Sequence, residues 1–161
     1  MRSGPLDETM PVQPSLPYAY AKDALRRQLE FASEGRFELT WPRLFYLYGE
    51  GQAAGSLLPQ LQKALDEGKT TFPMSAGEQL RDFVHVRDAA RALVALTEKR
   101  RGLGIVNISS GRPTSVRSFV EQWLDQRGYE IELELGKYPY PDYEPMAFWG
   151  SRQKLDDILG I

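Results

Sequence analysis

Cysteine is absent from this 161-residue chain. Neither a disulfide nor a thiolate metal site can form, which fits a reducing compartment. Histidine occurs once, at His85, with no carboxylate cluster beside it, so no metal site is expected. No run approaches the roughly 18 consecutive apolar residues that cross a bilayer. Met1 to Met10 carries Arg2, Asp7 and Glu8 where a signal peptide would be apolar. Charge of one sign is equally scarce: the net charge is −2, and the only basic cluster, Lys99-Arg100-Arg101, suits a helix C-terminus. These absences argue against membrane and nucleic-acid partners and lead us to expect a soluble, cytoplasmic protein. The composition that remains, 42% hydrophobic, suits one domain with a useful core.

Neither internal repeats nor low-complexity stretches interrupt the chain. The first seventeen residues, with Pro5, Pro11, Pro14 and Pro17, read as an extended loop. Ser15 is positioned to cap a helix that runs to about Ser33 and closes at Gly35. Phe37–Trp41 and Leu44–Tyr48 have the aromatic and apolar content of buried strands. A helix is expected over Ser56–Glu67, short strands near Thr70–Phe72 and Asp82–His85, and a helix over Val86–Lys99 built on Ala89, Leu93 and Leu96. Ile105–Ile108 reads as a strand. The clearest helix is Ser115–Arg127, where Val116, Phe119, Val120, Trp123 and Leu124 form one apolar face. Glu130–Leu135 alternates as a strand, and Arg152–Leu159 forms a last short helix. Strands alternating with helices indicate an α/β fold with a largely parallel sheet.

One spacing carries possible chemistry. Tyr18 and Lys22 stand four apart at a helix start, hence on one face. A phenol near pKa 10 is a poor acid or base at neutral pH until a neighbouring cation stabilises its phenolate. With eight tyrosines and six lysines in the chain, the pair alone reads equally as a packed Tyr beside a solvated Lys. Gly49-Glu50-Gly51-Gln52-Ala53-Ala54 formally fits a dinucleotide-binding fingerprint, but Gly68-Lys69-Thr70-Thr71 stands where an acidic strand end should follow, so we set it aside. Asp88 reads as the cap or first-turn acid of its helix, and His85 as a satisfied, partly buried imidazole. Asn107-Ile108-Ser109 matches a glycosylation acceptor only by chance if it lies in a buried strand.

Four blocks together go further. Pro17-Tyr18-Ala19-Tyr20-Ala21-Lys22 follows a proline-rich loop containing Gly4-Pro5-Leu6-Asp7-Glu8. After it come Pro42-Arg43-Leu44-Phe45-Tyr46-Leu47-Tyr48-Gly49-Glu50-Gly51-Gln52, then Gln79-Leu80-Arg81-Asp82-Phe83-Val84-His85-Val86-Arg87-Asp88-Ala89-Ala90, then Val106-Asn107-Ile108-Ser109-Ser110-Gly111. In order and spacing, over about Gly4 to Val120, they resemble the extended short-chain dehydrogenase/reductase class, in its NAD-dependent epimerase/dehydratase family that modifies nucleotide sugars.

The resemblance implies the C-terminal part of a Rossmann-type parallel sheet plus a small α/β substrate-binding subdomain. Residues 1–48 would hold the active-site helix and following strands, 49–85 and 128–161 the substrate-binding parts, and 86–127 a late helix-strand-helix unit. Tyr18 would be the catalytic acid/base, and Lys22 would lower its pKa and bond the ribose of NAD or NADP. Leu44 and Phe45 would line the nicotinamide side. Arg81, with Gln52 and Tyr143, would hold a nucleoside-diphosphate sugar; the bland alternative for Arg81 is an ion pair with Asp82 or Glu78. The aromatic stretch Tyr140–Gly150, with Tyr143, Glu144, Pro145, Phe148 and Trp149, reads equally as a base-stacking surface or a hydrophobic plug. Gly150-Ser151 stands where the family usually has an acidic residue before its final helix.

The family's glycine-rich cofactor turn and its Ser/Thr partner of the tyrosine find no counterpart before Tyr18. We therefore expect a truncated enzyme, in preference to a proteolytic fragment or a natural half-protein, and a chain inactive alone. The parent would catalyse epimerisation, dehydration or 4-keto reduction, with a homodimer as its assembly. The alternative is a non-catalytic sugar-nucleotide-binding or assembly module.

Overall fold

The computed structural model describes residues 4–141 and 144–161. Helix α1 spans Pro17–Ser33. It starts at Pro17 because proline arrives with helical φ and has no N–H to leave unpaired. The residue before a proline is pushed into extended backbone, and Leu16 obeys, with φ −115° and ψ 146°. Leu16, not the expected Ser15, is thus the cap. No side chain bonds there; the Leu16 carbonyl accepts from Tyr20 N–H at 2.9 Å.

Strand β2 (Thr40–Leu44) begins three residues later than expected and pairs in parallel with β6 (Gly104–Ile108), Thr40 lying opposite Gly104. The residues before it are still turning out of α1, with Phe37 N–H on the Ser33 carbonyl at 3.2 Å. Strand β3 (Tyr46–Tyr48) runs parallel to β5 (Leu80–His85), and β4 (Thr71–Pro73) parallel to β8 (Glu132–Glu134). Such pairs need long crossovers. Helices α2 (Leu57–Asp66), α3 (Val86–Glu98) and α4 (Val116–Asp125) provide them, and α5 (Gln153–Leu159) follows the last strand.

Three strands were not foreseen. β1 (Gly4–Leu6) lies inside the proline-rich segment and pairs in parallel with β9 (Phe148–Gly150); β7 (Pro113–Ser115) pairs antiparallel with β5. Each is three residues long and is defined by a partner far away in sequence, so no local periodicity marks it.

Two apolar clusters hold these layers. Leu58, Leu61, Phe72, Met74, Val120, Trp123 and Leu124 form one, between α2, α4 and the β4–β8 pair. Val84, Ala89, Ala92, Leu96, Val106, Ile108 and Leu155 form the other, between α3, α5 and strands β5 and β6. The period-3.6 face read in α4 is the face buried. Helix α1 differs, for its only buried residue is Asp23. Among the described residues no helix is long and apolar enough to cross a membrane.

Candidate active site and substrate cleft

The first turns of α1 present Tyr18 and Lys22 together, the Lys22 ammonium 5.7 Å from the centre of the Tyr18 ring. That is within reach of a cation–π contact. Tyr18 is 74% exposed, so its hydroxyl is open to a reactant. Behind it Asp23 binds two arginines of its own helix: Arg26 Nε and Nη2 at 2.9 and 2.7 Å, and Arg27 Nε at 2.8 Å. Burial works to raise the Asp23 pKa, yet the hydrogen bonds and charges of Arg26 and Arg27 outweigh it and hold the carboxyl below its ordinary value. Arg43, on β2, is lowered by its own burial and then by the charge of Arg26, so a layer of charge joins α1 to the sheet.

A second site forms around β5. Side chains alternate across a strand, so Gln79, Arg81 and Phe83 share one side and line a cleft of about 350 Å³ with Tyr46, Tyr48, Gln52, Phe119 and Glu144. Arg81 is 2% exposed. One terminal nitrogen donates to the Leu80 carbonyl at 2.9 Å and the other to Glu144 at 3.0 Å, while the Phe148 ring centre lies 4.7 Å from the guanidinium carbon. Its ion-pair partner is thus Glu144, neither Asp82 nor Glu78. Arg81 meets Glu144 through one terminal nitrogen alone; a planar guanidinium fork is also the donor geometry that phosphate oxygens match.

Asp82 points the other way and is fully buried. Its carboxylate accepts backbone N–H bonds from Ser110 at 2.6 Å, Gly111 at 3.0 Å and Gly150 at 3.2 Å, tying β5 to the turn after β6 and to the end of β9. Gly150 has to be glycine: a Cβ there would meet the Phe45 ring at 2.7 Å and the Ser109 side chain closer still. This is the packing reason why no acidic side chain stands at position 150.

The remaining expected residues divide. Leu44 is half exposed and available to a cofactor, whereas Phe45 packs inward against the α3–α5 cluster. Gln52 lines the cleft, but its amide bonds its own loop, accepting from Gly49 N–H at 3.3 Å and donating to the Leu47 carbonyl at 3.2 Å. The segment that mimics a dinucleotide fingerprint is therefore a turn closed by Gln52. An adjoining depression of about 610 Å³ shares Tyr48, Gln52, Leu58 and Phe119 with the cleft and has no buried cation among its lining residues. Tyr143 lies outside the described residues. His85 caps α3, its Nδ1 accepting from Arg87 N–H at 3.2 Å, so Asp88 is the first-turn acid and not the cap. Asn107 is buried in β6 with its amide on the Leu6 carbonyl at 3.0 Å, which leaves the acceptor triplet inaccessible.

Sequence reasoning missed Asp82 and Gln79. A carboxylate inside an apolar strand marks the first, and the two-residue spacing from Arg81 marks the second.

Similarity to known proteins fits this geometry. The chain is 33% identical over 151 residues to a dTDP-6-deoxy-L-talose 4-dehydrogenase (NAD(+)) of Aggregatibacter actinomycetemcomitans, covering 92% of this chain and 56% of that protein. It is 29% identical over 159 residues to the dTDP-6-deoxy-L-talose 4-dehydrogenase (NAD(P)(+)) of Kitasatospora kifunensis, covering 92% and 48%. It thus spans about half the length of these curated relatives. MoeE5 in complex with UDP-glucuronic acid and NAD superposes with a TM-score of 0.81 at 28% identity, over 99% of this chain and 54% of that one. A UDP-glucuronic acid 4-epimerase from Bacillus cereus shares the fold at a TM-score of 0.83 and 23% identity, over 99% and 51%. These neighbours bear out the expected α/β, Rossmann-type fold. Residues 2–109 match the model of the NAD dependent epimerase/dehydratase family, and the chain belongs to that family.

Proposed function

We propose that this chain carries the acid/base helix and the substrate cleft of a nucleoside-diphosphate-sugar epimerase, dehydratase or 4-ketoreductase working with NAD or NADP. The observation that carries the reading is the exposed Tyr18 phenol with the Lys22 ammonium 5.7 Å from its ring. In the oxidative direction the Tyr18 phenolate takes the proton of a sugar hydroxyl as the carbon beneath it gives up hydride; reduction reverses both transfers. The nicotinamide, when bound, accepts or donates that hydride. Lys22, one helical turn on, is available to the cofactor ribose. Tyr18, Lys22 and Leu44 are open to a cofactor, as such a role requires, whereas Phe45 supports the strand from inside. Arg81 holds the diphosphate and so fixes the sugar relative to Tyr18. The talose dehydrogenases among the relatives favour a dTDP-linked sugar reacting at C4, and the UDP-glucuronic acid complex of MoeE5 favours a UDP-linked one.

In this reading residues 1–48 supply the reacting groups, 49–85 and 128–161 the substrate cleft, and 86–127 the supporting layer; the whole enzyme is a homodimer. A non-catalytic binding or assembly module is the second reading, favoured by the apolar side chains Leu25 and Phe31 that α1 leaves exposed. One substitution separates them. In protein that turns over the sugar nucleotide, Tyr18→Phe should lower kcat by about 10²–10⁴ with little change in KM. An unchanged kcat would refute the catalytic assignment of Tyr18, whereas sugar-nucleotide binding with no turnover in any assembly containing this chain is what the binding module predicts.

A further inference from the structure

Gln79 is 7% exposed, lines the Arg81 cleft, and its side-chain Nε2 is buried with no hydrogen-bond partner among the described residues. It is the only buried side-chain nitrogen or oxygen of which this is true among those residues. Folded proteins rarely leave such a group unmet, because a buried donor without an acceptor forfeits its bonds to water. Backbone groups beside it are engaged: the Gln79 carbonyl accepts from Val116 N–H at 3.0 Å, and Leu80 N–H bonds the Met146 carbonyl at 2.8 Å. The orphaned group is the side-chain amide on the cleft wall.

We infer that Gln79 is a ligand-binding residue whose Nε2–H is completed by an acceptor oxygen of the nucleoside diphosphate held at Arg81. The inference rests on the sugar-nucleotide reading of this cleft. Two residues along a strand separate side chains on one face by about 7 Å, so a ligand whose phosphate meets Arg81 carries other oxygens within reach of Gln79. A neutral amide adds a bond without adding charge, which suits recognition of an oxygen's position rather than of the ligand's total charge. The acceptor belongs either to the diphosphate or to the nucleoside, and the two sources are separable.

Gln79→Met keeps the side chain's length and removes both polar ends. If the amide serves a ligand, the free chain should lose nothing, and its Tm should equal or exceed that of the unchanged protein. A structural role moves Tm the other way. The same variant should bind UDP about tenfold more weakly by calorimetry, the size expected of one lost hydrogen bond that leaves its partner unmet. Pyrophosphate serves as the second probe. Weakening of both ligands places the acceptor on the diphosphate, and weakening of UDP alone places it on the nucleoside. Equal UDP affinity of the two proteins, or a lower Tm of the variant, overturns the inference while leaving the sugar-nucleotide reading in place. Failure of the unchanged chain to bind UDP overturns both.

Discussion

Asp82 and Asp23 are both covered carboxylates, and they do different work. The two oxygens of Asp82 accept three backbone N–H bonds, two from the turn after β6 and one from the end of β9. An asparagine there would turn an NH₂ group toward backbone donors, so Asp82→Asn should cost about 2–4 kcal/mol in urea unfolding; a loss below about 0.5 kcal/mol would refute the hub. Asp23 acts locally. Its folded-state pKa is depressed, so the stabilisation is full above the unfolded value of about 3.9 and is lost as pH falls from there through the lower folded value. Covered by its own Arg26 and Arg27 rather than by apolar core, it should contribute roughly 0.5–1 kcal/mol. Asp23→Asn should lower stability by that amount at pH 7 and show a smaller difference near pH 3. A difference that grows toward acid would contradict the sign.

Elements differ in what holds them. Helix α4 buries Val120, Trp123 and Leu124 in a continuous stripe, whereas α1 buries only Asp23. Amides of α1 should therefore exchange with solvent well before those of α4, and equal protection would contradict this picture. The loop into β5 is a third kind of constraint. Gly77 has φ +72°, and a Cβ there would meet Arg117 Cβ at 2.7 Å and Arg117 N at 2.9 Å, where α4 begins. Gly77→Ala should cost about 1–3 kcal/mol in thermal unfolding. The same contrast explains what could be read in advance. Long periodic elements such as α4 and α3 were legible because their faces repeat within themselves, and Tyr18 with Lys22 were legible because helical spacing puts them together. β1, β7 and β9, at three residues each, were not: only Asp82, Gly150 and their distant partners make them strands. In the cleft, Arg81 stood out by its residue type, while Glu144 reached it from 63 positions away.

At the scale of the molecule, the α2–α4 cluster backs the cleft, while β5 carries Arg81 and Phe83 and Gln79 stands just before it. The proposed acid/base pair, Tyr18 and Lys22, lies on α1, which also keeps Leu25 and Phe31 exposed. Under the proposed function the chain would divide its work between a packed cleft around Arg81 and the exposed start of α1. Binding at the cleft is the part of the proposed function that the chain should express unaided, since Arg81 and Gln79 both line it. The most direct test is a calorimetric titration with a UDP- or dTDP-sugar at moderate salt, repeated with Arg81→Lys, which keeps the charge and loses the planar fork. Saturable sugar-nucleotide binding, weakened about tenfold or more in Arg81→Lys, is the result the account predicts. Absence of sugar-nucleotide binding, or an affinity indifferent to Arg81→Lys, would contradict it.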